Sequence, residues 1–248
     1  MMRNYVFHLL AVVFFFFAAS VYAQDGKTVS VGVLSSAQIV EQMERHDQAQ
    51  LASLQRYRAL RHYTAVYRGL SKTIMAEMEL EVDYDVSSGK SFRVFSQSGS
   101  QMLCRMVLNR AVDSEKEASL NRSATALTTA NYRFRLVGSE NLAGRTAYIL
   151  DVEPIAPSKF LFRGRIWVDA ADFAVAKMEV QPAKNPSFWI SRTLIHHTNA
   201  ETNGFWLPEH NRSEAKVLIG GTAVLTIDYG KYEVAAKGSL PGIALERP

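Results

Sequence analysis

The chain has 248 residues and a mass of 27.7 kDa, enough for one large domain or two small ones with a hydrophobic core. At 48% hydrophobic and 21% charged residues it is not collagen-like, coiled-coil or wholly disordered. Its 28 Lys and Arg against 24 Asp and Glu leave +4 without a basic block, which gives no support for nucleic-acid binding, and a single cysteine, Cys104, excludes an intramolecular disulfide or a thiolate zinc site.

The first element is an address. Arg3 precedes an apolar run over 6–19 that includes Phe14, Phe15, Phe16 and Phe17, and Val21-Tyr22-Ala23 before Gln24 fits a signal-peptidase site. The run is short for a spanning helix, which takes about 20 residues. Cleavage is expected after Ala23, giving a signal peptide over 1–23, one domain over 24–234 and a loose tail over 235–248. Position 24 is not cysteine, so lipid anchoring is not expected, and Cys104 in an exported chain reads as buried packing material.

A helix follows. Ser35 and Gln38 form a capping box, Leu34 and Ile39 occupy staple positions, and Ile39, Val40, Met43, Leu51 and Leu54 return at helical spacing. From about Leu60 the period becomes two. Met78, Leu80, Val82 and Tyr84 alternate with Glu77, Glu79, Glu81 and Asp83, a strand with one core face and one acidic solvated face, and Ser87-Ser88-Gly89 turns it back into Phe92, Val94 and Ser96. A second helix is predicted over 100–120 with Met102, Leu103, Met106, Val107 and Ala111 as its apolar stripe.

Beyond Ala130 the pattern is antiparallel strand upon strand. Tyr132, Phe134 and Leu136 lead through a turn at 141–144 to Tyr148, Leu150 and Val152; 160–168 meets 173–180 across Asp169-Ala170-Ala171-Asp172. Phe188 and the residues to His197 follow, then the Asn203-Gly204 turn, Phe205-Trp206-Leu207, a two-residue Gly220-Gly221 hairpin signal and Ala223, Leu225, Ile227 and Tyr229. The expected fold class is α+β: about ten antiparallel strands in one strongly curved sheet, covered by two amphipathic helices.

Catalytic motifs do not emerge: there is no G-x-S-x-G, H-E-x-x-H, Walker loop or G-x-G-x-x-G, and no cofactor is implied. His196 and His197 are adjacent on a strand and point to opposite faces, so they do not chelate one ion, and no metal site is assigned. Arg163 and Arg165 flank Gly164 among Phe160, Phe162, Ile166 and Trp167, as outward arginines or as rim cations for an anionic headgroup. Asn121-Arg122-Ser123 and Asn211-Arg212-Ser213 match the glycosylation sequon.

The segment over 160–169, Phe-Leu-Phe-Arg-Gly-Arg-Ile-Trp-Val-Asp, with Asp172-Phe173-Ala174-Val175-Ala176-Lys177-Met178-Glu179, Pro186-Ser187-Phe188-Trp189 and Gly204-Phe205-Trp206-Leu207-Pro208, resembles bacterial outer-membrane lipoprotein-sorting proteins of the LolA-like superfamily. The resemblance runs from the first helix to Tyr232. It implies a half-open antiparallel barrel with helices as a lid, a periplasmic location, and a hydrophobic cavity for lipoprotein acyl chains or another lipid, with no catalysis. It also implies a second reading, a sensor or regulatory module binding a periplasmic or membrane-associated protein. Each enclosed methylene contributes about 0.8 kcal/mol, so such a cavity works without a specific polar contact. The lining expected on the even-numbered faces is Met78, Leu80, Val82, Phe134, Leu136, Tyr148, Leu150, Phe162 and Ile166, with Arg163 and Arg165 as possible rim cations. Arg61 and Arg68 both lie in the region where the family carries the arginine that holds its lid, and the sequence assigns that role to neither.

Overall fold

The computed structural model describes residues 34–184, 190–218 and 220–237. The expected signal peptide, the Pro186-Ser187-Phe188-Trp189 motif and most of the expected tail lie outside the described residues.

Helix α1 (Ser36–Ser53) starts on the capping box: Ser35 Oγ accepts from the Gln38 N–H, and Gln38 Oε1 accepts from the Ser35 N–H at 2.9 Å. Ile39, Val40 and Met43 are buried, but the apolar face ends there, because Leu51 is exposed and Leu54 already belongs to the next strand. Strand β1 (Leu54–Arg68) therefore begins six residues before the expected change of period, with no loop between helix and strand.

Among the described residues there are ten strands: β1, β2 (Thr73–Asp85), β3 (Gly89–Gly99), β4 (Tyr132–Leu142), β5 (Arg145–Pro154), β6 (Phe162–Asp169), β7 (Val175–Pro182), β8 (Ile190–Thr202), β9 (Phe205–Val217) and β10 (Thr222–Ala236). All belong to one antiparallel sheet in the order β3-β2-β1-β10-β9-β8-β7-β6-β5-β4. Every ladder except β1–β10 joins strands consecutive in the chain, and β1–β10 joins residues 54–68 to 222–236. The sheet curls without closing, its free edges being β3 and β4, which is the half-open α+β architecture that the resemblance implies.

Between the two edges the chain is helical: α2 (Gln101–Leu103), a π-turn (Cys104–Leu108), α3 (Asn109–Leu120) and α4 (Arg122–Thr125). The π-turn corrects the expected stripe. Leu103, Cys104, Leu108 and Val112 are buried, whereas Met102 and Met106 are 49% and 56% exposed. An i→i+5 turn holds more than four residues, so positions 104, 108 and 112 stay nearly in line where a 3.6-residue wheel turns each about 40° from the last.

Alternation along the strands sends one face to the core and the other outward. The core has two parts. Tyr57, Tyr63, Met78, Leu80 and Val82 pack with Leu103, Leu108 and Val112 under the π-turn and α3; Tyr132, Leu150, Val152, Ile166 and Val168 pack with Ile39, Val40 and Met43 under α1. On the outer face, Asp83 of the acidic row pairs with Arg58 of β1 and Asp85, beyond the row, with Arg56, and Glu81 is buried between Arg58 and Arg93. Cys104 is buried as expected, its Sγ 3.6 Å from the Ser98 carbonyl oxygen. Two turns differ from expectation. The β9–β10 connection spans 218–221 rather than two glycines, with Gly221 at φ +89° where an added Cβ would lie 2.4 Å from the Arg68 carbonyl oxygen. Strand β10 runs to Ala236, and the Lys237 N–H donates to the Ser53 carbonyl, so the strand extends past the expected start of the tail.

Candidate functional site

On β1 the inward residues are Tyr57, Ala59, Arg61, Tyr63 and Ala65, an apolar row with one guanidinium in its middle. Arg61 is 2% exposed. Beside it the β1–β10 register skips a residue, setting Arg61 against Tyr229, and the guanidinium carbon lies 4.6 Å from the centre of that ring. Its Nη1 donates to Glu115 Oε2 of α3 at 2.6 Å and lies 3.5 Å from the Tyr63 hydroxyl. The other Glu115 oxygen accepts from Lys90 Nζ of β3 at 2.8 Å. One carboxylate from the covering helix is thus clamped between two cations of the sheet.

The electrostatics follow from this arrangement. Burial pushes the Glu115 carboxyl up, but Lys90 and Arg61 outweigh it and hold the pKa below the usual value. Burial likewise works against the charges of Arg61 and Lys90, and Glu115, joined by Tyr229 and Tyr63 at Arg61 and by Tyr57 at Lys90, more than restores them, so both pKa values are raised. Two cations face one anion, and Arg61 Nε is buried with no acceptor among the described residues.

Around the clamp the inner face is aromatic and polar. Tyr57 stacks on Tyr84 at 5.2 Å and meets Tyr232 edge-on at 5.5 Å, and the Tyr232 hydroxyl donates to the Pro208 carbonyl. His197 presents its ring edge-on to Tyr229, with Nε2 3.0 Å from Asn199 Oδ1 and Nδ1 3.3 Å from the Asn211 amide nitrogen. Burial draws its pKa below the ordinary histidine value, and the two partners fit the neutral Nε2–H tautomer. His196 faces the other way, 3.7 Å from Glu179, so the adjacent histidines do sit on opposite faces. Asn211 being turned inward, its sequon does not present a free side chain for a glycan.

From α1 a single carboxyl faces inward on the same side as Val40 and Met43. Burial pushes Asp47 up to about 6, against a lowering by His46 and with a smaller raising by Glu44. Farther along α1, Gln50 holds Trp206 of β9 at both backbone groups, accepting from its N–H at 2.8 Å and donating to its carbonyl at 3.1 Å.

The nine expected lining residues all face the core, in two groups. Met78, Leu80 and Val82 belong under the π-turn and α3; Phe134, Leu136, Tyr148, Leu150, Phe162 and Ile166 belong under α1. Arg163 and Arg165 lie on the opposite face, pairing with Glu153 at 3.6 Å and Asp151 at 3.1 Å, and with Arg133 and Arg135 they frame an outer hollow of about 530 Å³. A second hollow of about 410 Å³ is bordered by Arg145, Asp169, Lys177, Asn199 and Trp206, where the buried Asp169 accepts from Arg145 Nε at 2.6 Å. Of the two arginines considered for holding a lid, Arg61 reaches a covering helix and Arg68 is exposed at the end of β1. The sequence signal for the clamp was present: a lone arginine within the apolar row of β1. Nothing in the spacing pointed to Lys90 or Glu115 as its companions.

No described helix is long and apolar enough to cross a membrane. No family model matches the chain, and no curated protein matches it in sequence. Among solved structures the chain is similar to a DUF1329 family protein from Desulfovibrio piger, at 14% identity and a TM-score of 0.41, over 84% of this chain and 95% of that one. It is also similar to a LolA superfamily protein from Nitrosomonas europaea, at 12% identity and a TM-score of 0.36, over 82% and 94% of the two chains. An outer membrane lipoprotein-sorting protein domain from Vibrio parahaemolyticus is similar at 8% identity and a TM-score of 0.39, again over 82% and 94%.

Proposed function

We propose that the chain is a non-catalytic periplasmic carrier that takes lipoprotein acyl chains or another lipid between the concave face of its sheet and the helices across it. The observation that carries this reading is the way α3 is held. Val112 is its one buried residue, and its inward attachment is the Glu115 clamp on Arg61 and Lys90. A helix that buries one side chain, with Ala111 packed beside it, and is otherwise tied inward by charge can lift without unfolding the strands beneath, and lifting it opens the cluster to which Val112 belongs. Each methylene then enclosed contributes about 0.8 kcal/mol.

The test is to purify the exported protein under native conditions and analyse its organic extract by mass spectrometry beside a control protein. A stoichiometric lipid or lipopeptide supports the carrier; an empty protein that also takes up no fluorescent fatty acid overturns it. A second reading, a regulatory module binding another periplasmic protein, is favoured by edge strand β3, where Val94 and Phe95 are half exposed beside a helical run that exposes Met102 and Met106. That reading takes precedence if the protein is empty.

A further inference from the structure

We infer that Arg61 and Lys90 form an anion site that Glu115 of the chain's own α3 fills in this state, and that the cargo is a long-chain carboxylate whose head replaces Glu115. The inference rests on the carrier reading for the tail and adds the chemistry of the head. Glu115 satisfies the pair incompletely. It engages Arg61 through Nη1 alone, and the buried Nε is left without an acceptor among the described residues. A carboxylate not tied to a helix backbone can supply that acceptor as well. The buried charges also choose the ligand class. Exchanging one carboxylate for another leaves the two cations facing a single negative charge, so the swap adds no buried charge. An uncharged head would leave both cations unpaired once Glu115 departs.

The surroundings suit a carboxylate carrying a chain. Beside the cations in the strand registers lie Leu80, opposite Arg61, and Tyr84, opposite both Lys90 and Tyr57; with Val82 and with Val112 of α3 they belong to one buried cluster. The π-turn immediately precedes α3, a place where the helical hydrogen-bond ladder is already re-registered and where a hinge needs no additional break. Lys90 sits at the start of edge strand β3 and is a quarter exposed, so the clamp is reached from solvent along the α3–β3 border. Head and tail therefore act on one element: the head takes the partners of Glu115, and the tail takes the place of the helix.

The experiment measures binding of dodecanoate and of dodecanol by titration calorimetry to the exported protein, to Lys90→Met and to Glu115→Gln, with far-ultraviolet circular dichroism as the control for folding. The expected result is dodecanoate bound about tenfold more tightly than dodecanol, a preference that falls towards unity in Lys90→Met, and a several-fold gain for dodecanoate in Glu115→Gln, where the internal occupant has lost its charge. Equal affinity for the two probes, or a preference that Lys90→Met leaves unchanged, overturns the anion site while the carrier reading stands. Binding of neither probe overturns both. Should Lys90→Met fail to fold, the wild-type ratio and the response of Glu115→Gln decide the matter alone.

Discussion

Asp47 and Glu115 are carboxyls of opposite thermodynamic sign within one fold. Asp47 faces the interior from α1 with burial as its main influence, and its pKa of about 6 lies above the ordinary 3.8. The folded state therefore binds more protons than the unfolded one between about pH 4 and 6, and stability falls as pH rises through that window. Asp47→Asn removes the cost of ionisation: it is expected to raise stability by about 1–2 kcal/mol at pH 7.5, with the gain gone below pH 4, as read by urea titrations at both values. Glu115 runs the other way. Its pKa is held below the ordinary 4.5, so its contribution is complete above that value and is lost as pH falls through the folded pKa. Glu115→Gln leaves Arg61 and Lys90 unpaired and should cost about 1–3 kcal/mol at pH 7, converging on the wild type in acid. The clamp was half legible in the sequence. A guanidinium in an apolar row announces a buried partner, but which carboxylate meets it depends on where a helix 54 residues further along is laid.

At the scale of elements, what periodicity records is the side chain's direction on a regular backbone, and it failed where the backbone is irregular. The strands were readable because alternation survives twist: Met78, Leu80 and Val82 all point inward, as do Leu150 and Ile166. The covering helix was not, because a wheel of 3.6 residues per turn cannot register the wider turn over Cys104–Leu108, which turns Met106 to solvent and Leu108 to the core. The two residues now separate the regular from the π-helical phase. Leu108→Ala should destabilise by about 2–5 kcal/mol, since it leaves a cavity among Leu103, Val112 and the β1–β2 side chains. Met106→Ala should stay within about 0.5 kcal/mol of the wild type. Thermal melts of the two variants side by side check the pair, and a regular helix would predict the reverse order. The same irregularity lies just before the helix that Glu115 holds.

For the molecule as a whole, the hairpins that close over short turns were legible, whereas the seam that makes the sheet continuous joins β1 to β10 and has no local signal. Sequence alone offered ten strands without saying that the first and the last of them pair. Among the described residues that seam is the single ladder between β1–β3 and the meander from β4 to β10, and it carries Arg61 at its bulge. Gly230 marks the bulge: an added Cβ there would lie 2.8 Å from the Leu60 carbonyl oxygen, a backbone atom that cannot swing aside. Gly230→Val is therefore expected to part the ladder locally and to cost about 1–3 kcal/mol. Because each side of the core has its own apolar cluster and its own helix, the loss should not be uniform. Amide exchange in the variant should accelerate across β1, β2 and β10, while β5 and β6, packed under α1, keep their protection. A uniform acceleration across all ten strands would mean that the two clusters unfold as one unit, and that a lid over the first cannot open while the second stays closed.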